Sequence, residues 1–115
     1  MYIIINMKSF EEIGISQNLL KILKELDFNE PTEIQEKVIP LALAGRDIIG
    51  ESATGSGKTL AFGAPIVKNI HGGRGIQVLI LTPTRELTEQ VSNSLSKFSE
   101  NDQLKIISIY GGVSI

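Results

Sequence analysis

The stretch of this sequence richest in possible chemistry is Thr54-Gly55-Ser56-Gly57-Lys58-Thr59. Glycines at 55 and 57 allow successive backbone N–H groups to turn towards one point, and they let an anion approach with no Cβ in the way. A helix starting at Lys58 or Thr59 adds the partial positive charge of its N-terminus. In that setting the Lys58 ammonium reaches the β- and γ-phosphates of a nucleotide, and the Thr59 hydroxyl ligates Mg²⁺. Such a loop needs a strand before it and a helix after it. The apolar pair Ile48-Ile49 and the apolar run beyond Thr59 supply both. The strict pattern has Gly five residues before Gly57, where this chain has Ser52. A plain glycine turn ahead of a helix capped by Thr54 or Ser56 is the competing reading. Chance rarely combines Gly-x-Gly-Lys-Thr with that setting.

Upstream lies Phe28-Asn29-Glu30-Pro31-Thr32-Glu33-Ile34-Gln35. A glutamine amide offers one donor and one acceptor edge, which matches the N6 donor and N7 acceptor of adenine but not the two acceptors of guanine. The Phe28 ring can stack on a base face. Thr32 and Gln35 also have the spacing of a capping box, in which Gln35 reaches back to the backbone of Thr32. On the pattern alone both readings stand.

A third group is Pro83-Thr84-Arg85 with Gly111-Gly112 further on. Thr84 and the N–H groups after it start a helix, Arg85 can take a phosphate oxygen, and the paired glycines permit close backbone approach. The bland alternative is a helix cap, a solvated arginine and a turn. His71, Arg74 and Arg46 are read as surface residues.

These groups need elements to hold them. Ser16 is placed to cap a helix whose Leu19, Ile22, Leu23 and Leu26 share one face. A second helix is expected from near Thr32 through Ile34, Val38 and Leu41, with Pro40 bending or ending it. Gly45-Arg46-Asp47 turns the chain into Ile48-Ile49. The helix after the glycine loop, running towards Ile70, is apolar nearly all round and so should be buried, with Pro65 a possible kink. Gly72-Gly73-Arg74-Gly75 is a turn, and Val78-Leu79-Ile80-Leu81 reads as a strand covered on both faces. A further helix from Thr84 places Leu87, Val91, Leu95 and Phe98 on one face. Asn101-Asp102 is a turn before a last strand, Leu104 to Tyr110. Strands alternating with helices imply right-handed βαβ units in an α/β layered domain.

Composition limits what such a chain does. Its 115 residues, 42% apolar and 21% charged, suit one globular domain or part of one. With 11 basic against 13 acidic residues, net charge −2, no global basic field attracts nucleic acid, so any RNA contact must be local. There is no cysteine and a single histidine, which excludes disulfides, thiolate metal sites and a histidine cluster. Tyr2-Ile3-Ile4-Ile5 is too short for a secretion signal, and no apolar stretch approaches the roughly 20 residues needed to cross a bilayer. A cytoplasmic protein without membrane contact is expected, with Met7 a possible native start.

Taken together the motifs resemble those of DEAD-box ATP-dependent RNA helicases. Phe28 to Gln35 is similar to the family's Q motif, with Phe10 about where the family carries an isolated upstream aromatic. Ser52-Ala53-Thr54-Gly55-Ser56-Gly57-Lys58-Thr59 resembles motif I, in which a small residue replaces the first glycine. Pro83-Thr84-Arg85-Glu86-Leu87 resembles motif Ia, and Gly111-Gly112 the GG motif. The order and spacing match from Phe10 to Gly112. Two positions depart from the family: Asp27 stands where Gly usually precedes the aromatic, and Thr88 where Ala usually continues motif Ia.

The resemblance implies a RecA-like P-loop fold, three-layer α/β/α with a mainly parallel sheet, incomplete at the C-terminus. Residues 1–7 would be an extension, 8–36 the Q motif region and 37–115 the first part of the ATP-binding portion. It implies ATP and Mg²⁺ as cofactors, with ATP contacted by Phe28, Gln35 and residues 52–59. Lys58 and Thr59 would act in catalysis, with Thr59 on the metal. RNA would meet Pro83, Thr84, Arg85, Gly111 and Gly112 through sequence-independent backbone contacts. No apolar strand here ends in Asp, and the family's acidic motif, its Ser-Ala-Thr motif and its second domain with the arginine fingers do not occur in these residues. The expectation is therefore a helicase fragment, inactive by itself. A different P-loop NTPase and a non-catalytic nucleotide-binding module are the alternatives.

Overall fold

The computed structural model describes residues 8–73, 75–100, 102 and 104–112. The expectations for residues 1–7, Arg74 and Asn101 lie outside them. Four helices are present among the described residues: α1 (Gln17–Glu25), α2 (Glu33–Leu43), α3 (Lys58–Asn69) and α4 (Arg85–Phe98). None is long and apolar enough to cross a membrane.

Each helix starts where its cap chemistry places it. Ser16 accepts from the Leu19 N–H at 3.3 Å, and Thr84 accepts from Leu87 at 3.1 Å. Ahead of α1 the chain folds back through a reciprocal pair, in which Ser9 N–H donates to Glu12 Oε1 and Glu12 N–H to Ser9 Oγ, both at 3.2 Å. That turn drops Phe10, Ile13 and Ile15 into the core beside Leu19, Leu20, Ile22 and Leu23 of α1. From α2 comes Ile39, from α3 Leu60, Ala64 and Val67, and from α4 Phe98. Lys68 of α3 closes the assembly by donating to the Gly14 carbonyl at 2.9 Å. As its sequence requires, α3 is buried along most of its length, and it packs against both α2 and α4.

The ends of α1 and α2 share one device. Phe28 N–H reaches the Leu23 carbonyl at 2.8 Å and Asp27 N–H the Lys24 carbonyl at 3.1 Å, the paired bonds of a Schellman turn. Arg46 to Leu41 at 3.1 Å and Gly45 to Ala42 at 3.0 Å repeat it after α2. The turn requires a left-handed residue just past the cap. Gly45 fills it at φ 81°, and Asp27 fills it at φ 61°. Asp27 thus occupies a position that favours glycine, as the comparison with the DEAD-box pattern anticipates.

Pro40 does not end α2. The helix continues through Leu43: the ring removes one N–H donor and crowds the carbonyl one turn back, but the Pro40 carbonyl still accepts from Ala44 at 3.1 Å.

The three strand-like segments carry no ladder partner among the described residues, where no strand is assigned. Two of them, 78–82 and 104–110, retain the two-residue alternation of a strand. In 104–110, Ile107 and Ile109 are exposed while Ile106, Ser108 and Tyr110 are half-buried. Leu79 and Leu81 are 78% and 85% exposed on either side of half-buried Ile80, and Ile49 is 98% exposed. The face expected on α4 divides the same way: Leu95 and Phe98 are buried, Val91 is half-buried and Leu87 is exposed.

Candidate nucleotide and phosphate site

The glycine loop lies where the sequence placed it, immediately before α3. Ser56 N–H returns to the Ala53 carbonyl at 3.2 Å, and the Ser52 and Ser56 hydroxyls meet at 2.5 Å. Ser52, the departure from the strict glycine pattern, therefore ties the two sides of the loop together. Gly55 and Gly57 have φ 82° and 85°, the left-handed region that L side chains avoid. Gly57 is also the residue capping α3, and a Cβ there would lie 2.2 Å from Gln35 Nε2. Lys58 and Thr54 are exposed, Thr59 is half-buried, and no ion pair engages the Lys58 ammonium among the described residues. An ammonium without an ion pair among the described residues, a helix N-terminus and an uncluttered loop are the features that suit an anion.

Gln35 is 3% exposed and joins two elements. Its Oε1 accepts from Thr32 N–H at 2.9 Å, one limb of the capping box. The other limb is close in position but not bonded, since the buried Thr32 Oγ1 has no hydrogen-bond partner. Gln35 Nε2 donates to the Gly57 carbonyl at 3.1 Å. The capping role is therefore real, and the same amide also grips the phosphate loop, which its spacing in the sequence does not reveal. One Nε2 hydrogen and one Oε1 lone pair remain beyond these bonds.

Phe28 packs edge-on against Phe98, ring centroids 6.4 Å apart, and remains 39% exposed. It lines a surface cleft with Phe10, Leu20, Leu23, Lys24 and Asn29, a set that does not include Gln35.

At the start of α4, Pro83, Thr84 and Arg85 are exposed. Arg85 Nη2 donates to the Gly111 carbonyl at 2.8 Å, and its guanidinium lies 5.3 Å from the centroid of the Tyr110 ring. Gly112 has φ 84°, and a Cβ on it would lie 3.3 Å from the same Nη2. Residues that are 26 positions apart in sequence thus meet at one exposed surface. Thr88 hydrogen-bonds both ways, to Thr82 Oγ1 at 2.5 Å and to the Thr84 carbonyl at 3.1 Å. The threonine that replaces the usual alanine braces the first turn of α4.

The family model described as DEAD/DEAH box helicase matches residues 32–115. The chain belongs to that family. It is 42% identical over 107 residues to the DEAD-box ATP-dependent RNA helicase RhpA of Helicobacter pylori (strain B128), covering 93% of this chain and 22% of that one. Among solved structures it is similar to a DEAD box protein from the hyperthermophile Methanococcus jannaschii, with TM-score 0.87, 42% identity and coverage of 92% of this chain and 30% of that one. It is also similar to the RNA-helicase Prp28 from Chaetomium thermophilum bound to ADP, with TM-score 0.83, 41% identity and coverage of 97% and 29%. The chain spans between a fifth and a third of these relatives.

Two residues of this DEAD-box chain escaped the motif reading. The Tyr110 hydroxyl donates to Glu89 Oε1, and the bond holds the phenol pKa above its ordinary value. The available signals were slight: an aromatic next to Gly111, and a carboxylate four positions after Arg85. For a metal, Thr59 offers one hydroxyl, and no group of three or more acidic, histidine or cysteine residues forms among the described residues. A lone hydroxyl suits a magnesium ion carried largely by phosphate oxygens, for which Thr59 would be the protein ligand.

Proposed function

We propose that this chain supplies the nucleotide-gripping part of an ATP-dependent RNA helicase, together with one wall of its RNA groove. The observation that carries the reading is the Gln35–Gly57 bond, which joins a side chain suited to adenine directly to the loop suited to phosphates. Backbone N–H groups of residues 54–58 face the phosphates, Lys58 neutralises charge on the β- and γ-phosphates, and Phe28 offers an aromatic face. Mg²⁺, held in part by Thr59, would supply charge neutralisation during phosphoryl transfer. Pro83, Thr84, Arg85, Gly111 and Gly112 meet the sugar-phosphate backbone without reading bases, so binding is sequence-independent and weakens with salt.

In the same reading, Ile48-Ile49, residues 78–81 and residues 104–110 are strands of a mainly parallel sheet in a RecA-like α/β/α domain, with 8–36 as the Q motif region. The family membership and the two-residue alternation of exposure support it.

The test is ATP turnover by the full-length protein, with and without single-stranded RNA. Lys58→Ala should largely abolish turnover, because a preorganised charge aimed at the phosphates is a main source of catalysis there. Undiminished turnover in that variant would remove the phosphate-loop assignment. The 115-residue chain alone should release no phosphate in response to RNA.

A further inference from the structure

Arg85 and Glu89 are four positions apart on α4, the spacing at which a guanidinium and a carboxylate pair across one helical turn. They do not pair: no ion pair joins them among the described residues. Glu89 Oε1 instead accepts the hydroxyl hydrogen of Tyr110, the residue that precedes Gly111. Meanwhile the Tyr110 ring carries Arg85 on its face, 5.3 Å from centroid to guanidinium carbon. Among the described residues one of the five N–H donors of arginine is used in the plane, by the Gly111 carbonyl at 2.8 Å. Stacking on a ring leaves in-plane donors free, so the guanidinium is held in direction without being neutralised.

From this geometry we infer that Tyr110 is a positioning residue for RNA binding: its hydroxyl draws the Glu89 carboxylate away from Arg85, keeping the arginine available to a backbone phosphate. The inference rests on the reading of Arg85 as a phosphate contact. A carboxylate and a phosphate oxygen compete for the same donors. Without the hydroxyl, Glu89 is free to swing onto Arg85 and act as an internal competitor.

The test is binding of a single-stranded uridine oligonucleotide to the full-length protein over a range of salt concentrations. Tyr110→Phe keeps the ring and removes the hydroxyl, and it should weaken binding about twofold, the strength of an exposed pair at this spacing. Adding Glu89→Gln to Tyr110→Phe should restore wild-type affinity, because the amide carries no charge to offer Arg85. In an Arg85→Ala background, Tyr110→Phe should have no further effect. Wild-type affinity in Tyr110→Phe overturns the inference, as does a loss that Glu89→Gln fails to restore. Arg85→Ala itself should weaken binding and make the salt slope shallower by roughly 0.7. If it does neither, the phosphate reading of Arg85 fails; if it does both while Tyr110→Phe is silent, only the role of Tyr110 fails.

Discussion

Gln35 Nε2 donates to the carbonyl of Gly57 at 3.1 Å, so the first turn of α2 is bonded to the residue that caps α3. Anything that moves the glycine loop must stretch this bond or carry Gln35 with it.

Gln35→Ala should therefore have two effects. Loss of the bonds to Thr32 and Gly57 should lower stability by about 1–3 kcal/mol, since both partners are left unsatisfied. The preference for ATP over GTP should fall by about 1–3 kcal/mol in the full-length protein. Denaturant melts and competitive nucleotide binding measure the two separately. Reduced stability with an intact preference would leave Gln35 as a brace and nothing more.

The two loop glycines should differ. Gly55→Ala meets no atom within 4 Å, so it should cost only the left-handed backbone term, about 1–2 kcal/mol. Gly57→Ala adds a clash with Gln35 at 2.2 Å and should cost more, with loss of nucleotide binding. Equal melting temperatures for the two variants would contradict the close approach.

At the end of α1, Asp27→Val should destabilise by about 1–2 kcal/mol, because a β-branched residue fits φ 61° poorly. Asp27→Gly should gain at most about 1 kcal/mol, the relief being offset by greater freedom in the unfolded chain. Thermal melts of the pair decide it; two neutral results would mean that the turn tolerates any residue.

Tyr110 offers a titration. In a Tyr2→Phe background one phenol remains, and its ultraviolet absorbance should change above the ordinary phenol range, because its hydrogen bond to Glu89 favours the protonated form. The folded pKa exceeds the unfolded one, so the bond's contribution is whole below the unfolded pKa and is lost as pH rises through the folded pKa. Glu89→Gln should move the titration back towards the ordinary value. An unmoved titration in that variant would mean the carboxylate is not the cause.

The sequence revealed most where one residue type answers one backbone need. Ser16 and Thr84 announced two helix starts, because short hydroxyl side chains satisfy the first free N–H groups, and the Thr32–Gln35 spacing announced a third through the Gln35 amide. The pattern around Lys58 announced the loop, because few residues other than glycine take φ near 85°. The Gln35–Gly57 bond was hidden, since it spans 22 positions and depends on how α2 packs on α3. Tyr110 and Glu89 were hidden for the same reason: neither belongs to a short pattern, and their pairing exists only once Tyr110 is folded back against the start of α4. Of the two outcomes read for Pro40, bending or ending, the ending is excluded: α2 runs on through Leu43, and the Pro40 carbonyl accepts from Ala44.

The alternating exposure of residues 78–82 and 104–110 gives this chain two very different kinds of apolar residue. Saturation mutagenesis scored on folding alone would show sharp intolerance at Leu19, Leu23, Ile39 and Leu60, all essentially inaccessible to solvent. In the 115-residue chain Ile49, Leu79 and Leu81 would accept lysine or glutamate with little change, whereas in the layered sheet proposed above the same substitutions would be destructive. A hydropathy profile treats both sets alike, whereas a deep mutational map would separate them and would trace the bare row residue by residue.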